Sequence, residues 1–276
     1  MSGAGFGVQF WGVRGSVGVS GARTSLFGGH TSCIEITAGR ERLIVDAGTG
    51  IVPFGLQLQP KAGDHYDILL THLHHDHVIG LMLFQPCFVD GVSIDVYCGN
   101  LGGASGEEAL RRLFSPPLFP LTFEDLAARV RFIGFSAGDT LTVGGVSVQT
   151  CPLNHPNGAT GYRFNHGDRT VAVLTDMEHE GGVPTPTLVD FCRDADLVIY
   201  DASYDRDDYL RYAGWGHSTW EAGAALAGAA NAKSLACFHH APEYDDDRLT
   251  RMEKALKEQF PAGFFAREGG RVVFGP

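Results

Sequence analysis

The chain has 276 residues, is 44% hydrophobic and 19% charged, and carries a net charge of −11 at neutral pH. Those values suit one globular domain, and no apolar run approaches the roughly 18 residues a membrane helix needs. The acidic balance speaks against a long polyanionic partner, though a small anion held by bound metal ions is compatible with it.

In chain order, MSGAGFGVQFWGVRG lacks a basic n-region and a long apolar h-region, so no secretory leader is expected. GVQFWGV, CIEIT, RLIVDAG, DILLTH, VSIDVYCG and VRFIGF read as strands, as do LTVGGVSVQTCPLNH, ATGYRFNHG, RTVAVLTD, LVIYDASY and SLACFHH. Helices are expected over Ser105–Phe114, Ser218–Ala230 and Asp245–Gln259. Ser105 and Ser218 are expected as N-caps, with Glu108 and Glu221 completing capping boxes. Cys33, Cys87, Cys98, Cys151, Cys192 and Cys237 form no CxxC pair and read as buried free thiols, which suits a reducing cytosol. Many strands, interleaved hairpins and few helices suggest two sheets with helices outside, in a single domain over 1–276.

Five apolar runs end in a residue able to bind a metal or move a proton: His72, His155, Asp176, Asp201 and His239. If each run is a strand, all five groups emerge at strand C-terminal ends, which share one rim in an α/β architecture. The densest ending is ILLTHLHHDHVIG, Ile68 to Gly80. A core has no use for it, since each unpartnered imidazole would lose solvation at roughly a few kcal/mol. His72 and His74, two apart on an extended loop, can point to one side. Asp76 and His77, adjacent at the turn into a helix, are expected to point away from each other and serve a second ion. Imidazole and carboxylate without thiolate suit Zn²⁺, with Mn²⁺ or Fe²⁺ as alternatives. His155, Asp176 and His239 can supply the remaining ligands for two ions, Asp176 as a bridge. His75 is left to solvent or a supporting contact.

The order His-x-His-x-Asp-His, then a lone His, an Asp and a final His, each after a strand, resembles the metallo-β-lactamase superfamily over essentially the whole chain. The resemblance implies a four-layered αββα sandwich with a dinuclear site at one edge. By that similarity His72, His74 and His155 would hold one ion, and Asp76, His77 and His239 the other. Asp176 and a water or hydroxide would bridge them. His240 directly follows His239, and the register LACFH favours His239 as the ligand.

IYDASY and GWGHSTWEAG further resemble the two motifs of the ribonuclease Z-like phosphodiesterase branch, with Asp201 orienting His217 near the metals. This chain has Asp where that branch commonly has Glu. The implied chemistry is attack of the bridging hydroxide on a phosphodiester, with His217 as general acid for the departing alkoxide. Ribonuclease Z carries a long arm between the lone His and the bridging Asp. Here that interval is about twenty residues and reads as a tight hairpin. GVRGSVG, GGHTSCIEI and LIVDAGTGI are instead similar to small-molecule members: phosphonate-operon cyclic-phosphate phosphodiesterases and phage anti-Pycsar nucleases. His30 stands where Asn is usual.

The expected substrate is therefore a small phosphodiester, with a 3′,5′-cyclic nucleotide foremost, and no long nucleic acid. The resemblance also implies a homodimer. The alternatives are a hydrolase of a lactone or thioester, or a metal-binding effector or sensor without turnover. FSPPLFPLTFEDL, Phe114 to Leu126, reads as a packed surface loop or dimer contact, with a base-stacking flap as the alternative. Arg163 and Lys233 are weaker candidates for touching phosphate.

Overall fold

The computed structural model describes residues 5–99, 103, 105–179 and 183–275. One sheet contains β1 (Phe6–Gly12), β2 (Cys33–Ala38), β3 (Glu41–Val45), β4 (His65–Leu70), β5 (Ser93–Gly99) and β6 (Arg129–Phe135). The other contains β7 (Thr140–Val143), β8 (Val146–Leu153), β9 (Ala159–His166), β10 (Arg169–Leu174), β11 (Leu197–Asp201), β12 (Leu235–Phe238) and β13 (Gly263–Phe265). The last strand, β14 (Arg271–Phe274), returns to the first sheet beside β1. The orders are β14-β1-β2-β3-β4-β5-β6 and β13-β12-β11-β10-β9-β8-β7.

Composition decides which strands sit inside. β11 and β12 are buried at every position, as parallel strands covered on both faces should be, whereas β8 alternates between core and solvent over most of its length. Between the sheets lie Phe10, Ile34, Val45, Leu69, Tyr162, Val173, Ile199 and Phe238. A second cluster packs the outer face of the first sheet under α1 (Ile51–Gln57) and α3 (Gly106–Leu113). A third packs the other sheet under α4 (Pro186–Phe191), α6 (Trp220–Ala229) and α7 (Asp246–Gln259). The result is the four-layered αββα sandwich. No helix among the described residues is long and apolar enough to cross a membrane.

Several local expectations hold. Ser105 caps α3, accepting from the Glu108 amide, and all six cysteines are free and buried. Other expectations fail for identifiable reasons. α6 is capped by Thr219, because the Ser218 hydroxyl is buried and engaged at 2.7 Å by Tyr200 Oη. Glu221 then falls one position too early for a capping box. LTVGGVSVQTCPLNH is two strands, since Gly144 and Gly145, both at positive φ, turn the chain between β7 and β8. α1, α2 (His75–Val78), α4 and α5 (Arg206–Tyr212) span only four to seven residues, too few for a helical period to show. In the 114–126 stretch, Phe114, Phe119 and Phe123 pack edge-to-face in the core beneath the first sheet, so these rings form no flap.

Two bonds from β9 tie it to the end of β4 beside His72: Tyr162 Oη donates to the Leu70 carbonyl at 2.5 Å, and the Thr160 amide donates to the Thr71 carbonyl at 2.8 Å. Tyr162→Phe should cost about 1–2 kcal/mol in urea denaturation, because a buried carbonyl loses its donor. An unchanged unfolding midpoint would show that the Tyr162 hydroxyl adds nothing to the packing and the Thr160 to Thr71 bond.

Candidate metal centre

β8 runs antiparallel to β9, and β9 antiparallel to β10, so β8, β10, β11 and β12 all point the same way. Their C-terminal ends deliver His155, Asp176, Asp201 and His239, while β4 of the facing sheet delivers His72. Asp176 and His239 leave their strands in the left-handed region, with φ of 58° and 62°. Asp46 does the same after β3, with φ of 63°. Non-glycine residues rarely adopt that conformation, and here each such turn brings a side chain into the cluster.

Two clusters result. His74 Nδ1 and His155 Nε2 approach to 3.0 Å, with His72 completing the first group. In the second, His77 Nε2 lies 3.2 Å from His239 Nε2, and Asp76 Oδ2 lies 3.2 Å and 3.1 Å from these two nitrogens. Adjacent Asp76 and His77 thus converge instead of pointing apart, because the start of α2 turns both inward. Asp176 faces both groups: Oδ1 is 3.8 Å from His72 Nε2 and His155 Nε2, and Oδ2 is 3.2 Å from His77 Nε2. His75 is exposed. His240 turns away and donates from Nε2 to the Ala266 carbonyl at 2.8 Å. Arg163 and Lys233 are engaged elsewhere, with the Phe191 carbonyl and Asp196.

The far nitrogen of each imidazole decides what the near one offers. His72 Nδ1 meets Thr71 Oγ1 at 3.1 Å, His77 Nδ1 meets Asp46 Oδ2 at 2.7 Å, and His155 Nδ1 meets the Gly216 carbonyl at 2.8 Å. His239 Nδ1 meets Ser203 Oγ at 3.0 Å, and His74 Nε2 reaches toward Asn157 Oδ1 at 3.4 Å. With the protons placed on these far nitrogens, all five rings aim lone pairs into the cluster. Lone pairs facing at about 3 Å repel unless a cation or a shared proton lies between them. Among the described residues, His72 Nε2 is buried with no hydrogen-bond partner. Ligand atoms on a tetrahedral Zn²⁺ at about 2.0–2.1 Å sit roughly 3.3 Å apart. These residues therefore fit divalent metal ions.

The electrostatics agree. Burial opposes charge on His77, yet Asp176, Asp76 and Asp46 outweigh it and raise its pKa well above the usual value. Burial also opposes ionisation of Asp176, but His239, His77 and His72 hold its carboxyl well below the usual range. The carboxylates thus draw positive charge to the His77 side of the cluster, whereas burial holds His72 and His155 below the usual imidazole value. Asp201, fully buried, accepts His217 Nδ1–H at 2.9 Å, and its other contacts are the Met177 amide, the Ser203 amide and Ser203 Oγ. Burial lowers the His217 pKa, but Asp201 more than compensates and raises it to about 9. The His217 ring sits 5.2 Å from His155 and 5.0 Å from His239, and Nδ1 is 3.8 Å from Asp176 Oδ1.

A cavity of about 470 Å³ opens over the cluster, lined by Leu73, His74, Asp76, Asp176 and His217 among others. That volume suits a small ligand. Sequence reasoning missed Asp46, Ser203, Thr71 and Asn157, which hold the imidazoles, and Ser16, whose amide donates to Asp76 at 2.7 Å. Asp46 carried the same signal as the others, an acidic residue ending the apolar run RLIVDAG.

Residues 41–240 match the beta-lactamase superfamily domain. Ribonuclease Z of Acaryochloris marina is 27% identical over 271 residues, covering 78% of this chain and 81% of that protein. The metallo-beta-lactamase fold protein YhfI of Bacillus subtilis superposes with a TM-score of 0.72 at 19% identity, covering 98% of this chain and 100% of that one. A diphosphatase of the PhnP family superposes with a TM-score of 0.70 at 18% identity, covering 98% and 97%.

Zinc-loaded protein should hold about two ions per chain by elemental analysis. Folded protein that saturates at one ion would contradict two separate groups of ligands. In the same preparation Asp46→Asn should weaken metal retention roughly 10- to 100-fold in competition with a chelator, since His77 loses its orienting carboxylate.

Proposed function

The chain belongs to the metallo-β-lactamase superfamily, and from that footing we propose that it is a ribonuclease Z-like two-metal hydrolase of a small phosphodiester, foremost a 3′,5′-cyclic nucleotide. The observation that carries this reading is the Asp201–His217 pair, joined at 2.9 Å beside the metal-ligating groups. Divalent ions bound there, Zn²⁺ by preference, would activate water near neutral pH and neutralise charge on the phosphate oxygens. His72, His74 and His155 would hold one ion, Asp76, His77 and His239 the other, and Asp176 would face both.

The task left to the chain is protonation of the departing alkoxide. His217 is placed for it. Asp201 accepts the Nδ1–H and stabilises the imidazolium, so Nε2–H is the proton available for transfer. After transfer the neutral ring stays bonded to Asp201, with Nε2 free to regain a proton from solvent. The flanking His155 and His239 rings restrict its rotation. A lactone or thioester hydrolase has less need of such an acid.

Substrate size follows from the interval between His155 and Asp176. Within it, β9 and β10 are joined by Gly167 and Asp168 alone, so no arm projects to grip a folded RNA. With a net charge of −11, a long polyanion would gain little from counterion release. A homodimer belongs to the same proposal and is read by sedimentation.

His217→Ala should lose roughly 10²–10⁴-fold on a substrate whose leaving group is a ribose oxygen. It should lose far less on bis(p-nitrophenyl) phosphate, whose phenolate leaves without a proton. Equal losses on both would remove His217 from the acid role and leave it a positioning residue.

At one salt concentration, metal-loaded protein should cleave 3′,5′-cyclic nucleotides and leave precursor tRNA essentially intact, followed by chromatography. Efficient trimming of the tRNA with cyclic nucleotides untouched would overturn the small-substrate reading. A lactone and a thioester in the same panel test the alternative bond classes.

A further inference from the structure

Trp215 is 61% exposed, while the other two tryptophans, Trp11 and Trp220, are 7% and 6% exposed. Exposure alone would be unremarkable, but this indole sits two residues before His217 on a tightly held loop. Its backbone is firmly held. The Gly214 and Gly216 amides both donate to the Glu178 carboxylate, at 2.8 and 2.9 Å, and Tyr209 Oη donates to the same group at 2.6 Å. The Trp215 amide donates to the Tyr212 carbonyl at 3.0 Å. The Gly216 carbonyl accepts from His155, so the loop is anchored to a metal-ligating residue. Gly214 and Gly216 sit at φ of +88° and +87°, which side chains rarely allow.

The side chain is likewise supported. His217 lies edge-on to Tyr204 at 6.1 Å, Tyr204 stacks on Tyr212 at 4.6 Å and 12°, and Trp215 meets Tyr212 edge-on at 5.3 Å. An aromatic ledge thus runs from the proposed acid to solvent and ends in a pre-positioned indole. Such a ring costs little entropy to use and offers a face to any planar base.

We propose that Trp215 stacks on the nucleobase of a substrate whose phosphate lies at the metal centre, making it a specificity-determining residue. The inference rests on the phosphodiesterase reading and narrows the substrate class to nucleotides over base-free phosphodiesters. Trp215 is the exposed fluorophore of the three, so its emission reports directly. In zinc-loaded protein, adenosine and guanosine 5′-monophosphate should quench it saturably. Ribose 5-phosphate and inorganic phosphate should compete with them without quenching. Trp215→Ala should raise KM for nucleotide substrates roughly 5- to 150-fold, with Trp215→Phe restoring most of the loss.

Quenching by nucleotides in a protein that hydrolyses no phosphodiester would leave the base contact standing and remove the catalytic reading. Hydrolysis of cyclic nucleotides with KM unchanged by Trp215→Ala would overturn the stacking proposal alone. So would nucleotide-insensitive emission together with a Trp215→Ala variant that sediments as a smaller species. In that case the indole is a contact between copies of the chain.

Discussion

Two pairs of imidazoles, His74 with His155 and His77 with His239, bring ring nitrogens to 3.0 and 3.2 Å around Asp176, and the rest of the molecule holds them there. Asp46 shows how. Its fully buried carboxylate accepts Ser32 Oγ, the Thr71 amide, Thr71 Oγ1 and His77 Nδ1, at 2.7 to 2.9 Å. A carboxylate stripped of water costs several kcal/mol unless such donors replace it. Once they do, the His77 proton is fixed on Nδ1 and Nε2 has nowhere to turn but inward. Ser203 acts similarly, joining Asp201 to His239 Nδ1 through one hydroxyl. The supporting bonds therefore couple the ligand cluster to the acid: moving Asp201 would disturb both His217 and His239.

The two sheets are what make this convergence possible. A single sheet could align several strand ends along one edge, but it could not surround an ion. Here β4 of one sheet meets β8, β10, β11 and β12 of the other, and the Tyr162 to Leu70 bond spans the gap next to His72. Left-handed turns at Asp46, Asp176 and His239 then carry side chains across that gap. Strained backbone persists where surrounding structure enforces it, and these three residues are fully buried or nearly so.

Much of this was legible because apolar strands and polar endings alternate plainly along the chain. DILLTH, RTVAVLTD, LVIYDASY and SLACFHH each announced a strand and the group at its end. What stayed hidden was set by contacts distant in sequence. Nothing near Ser218 reveals that Tyr200 claims its hydroxyl, so the cap falls to Thr219. Nothing in HHDH reveals that α2 turns Asp76 and His77 to one centre. Short helices such as α5 leave no period to read, and β13 and β14 are too brief to stand out. Asp46 is the different case. Its signal was present, but a strand-end acid counts as a ligand or as an orienting partner only once the ring it faces is known.

On the proposed reading, bound metal ions would let an acidic protein attract an anion. At a few ångströms, divalent charge acts on a phosphate with little screening, whereas surface carboxylates beyond roughly 8–10 Å are largely damped by salt. Local attraction fixes the phosphate but says nothing about what the phosphate joins. Discrimination would then fall to groups outside the ligand cluster, and the aromatic series Tyr204, Tyr212 and Trp215 is held next to His217 by Glu178 and His155. Because the Gly216 carbonyl orients His155, the loop that presents the indole also orders a metal-ligating imidazole. On the proposed reading, base recognition and phosphate chemistry would share one short segment, GWGH, and a change in its backbone would be felt at both.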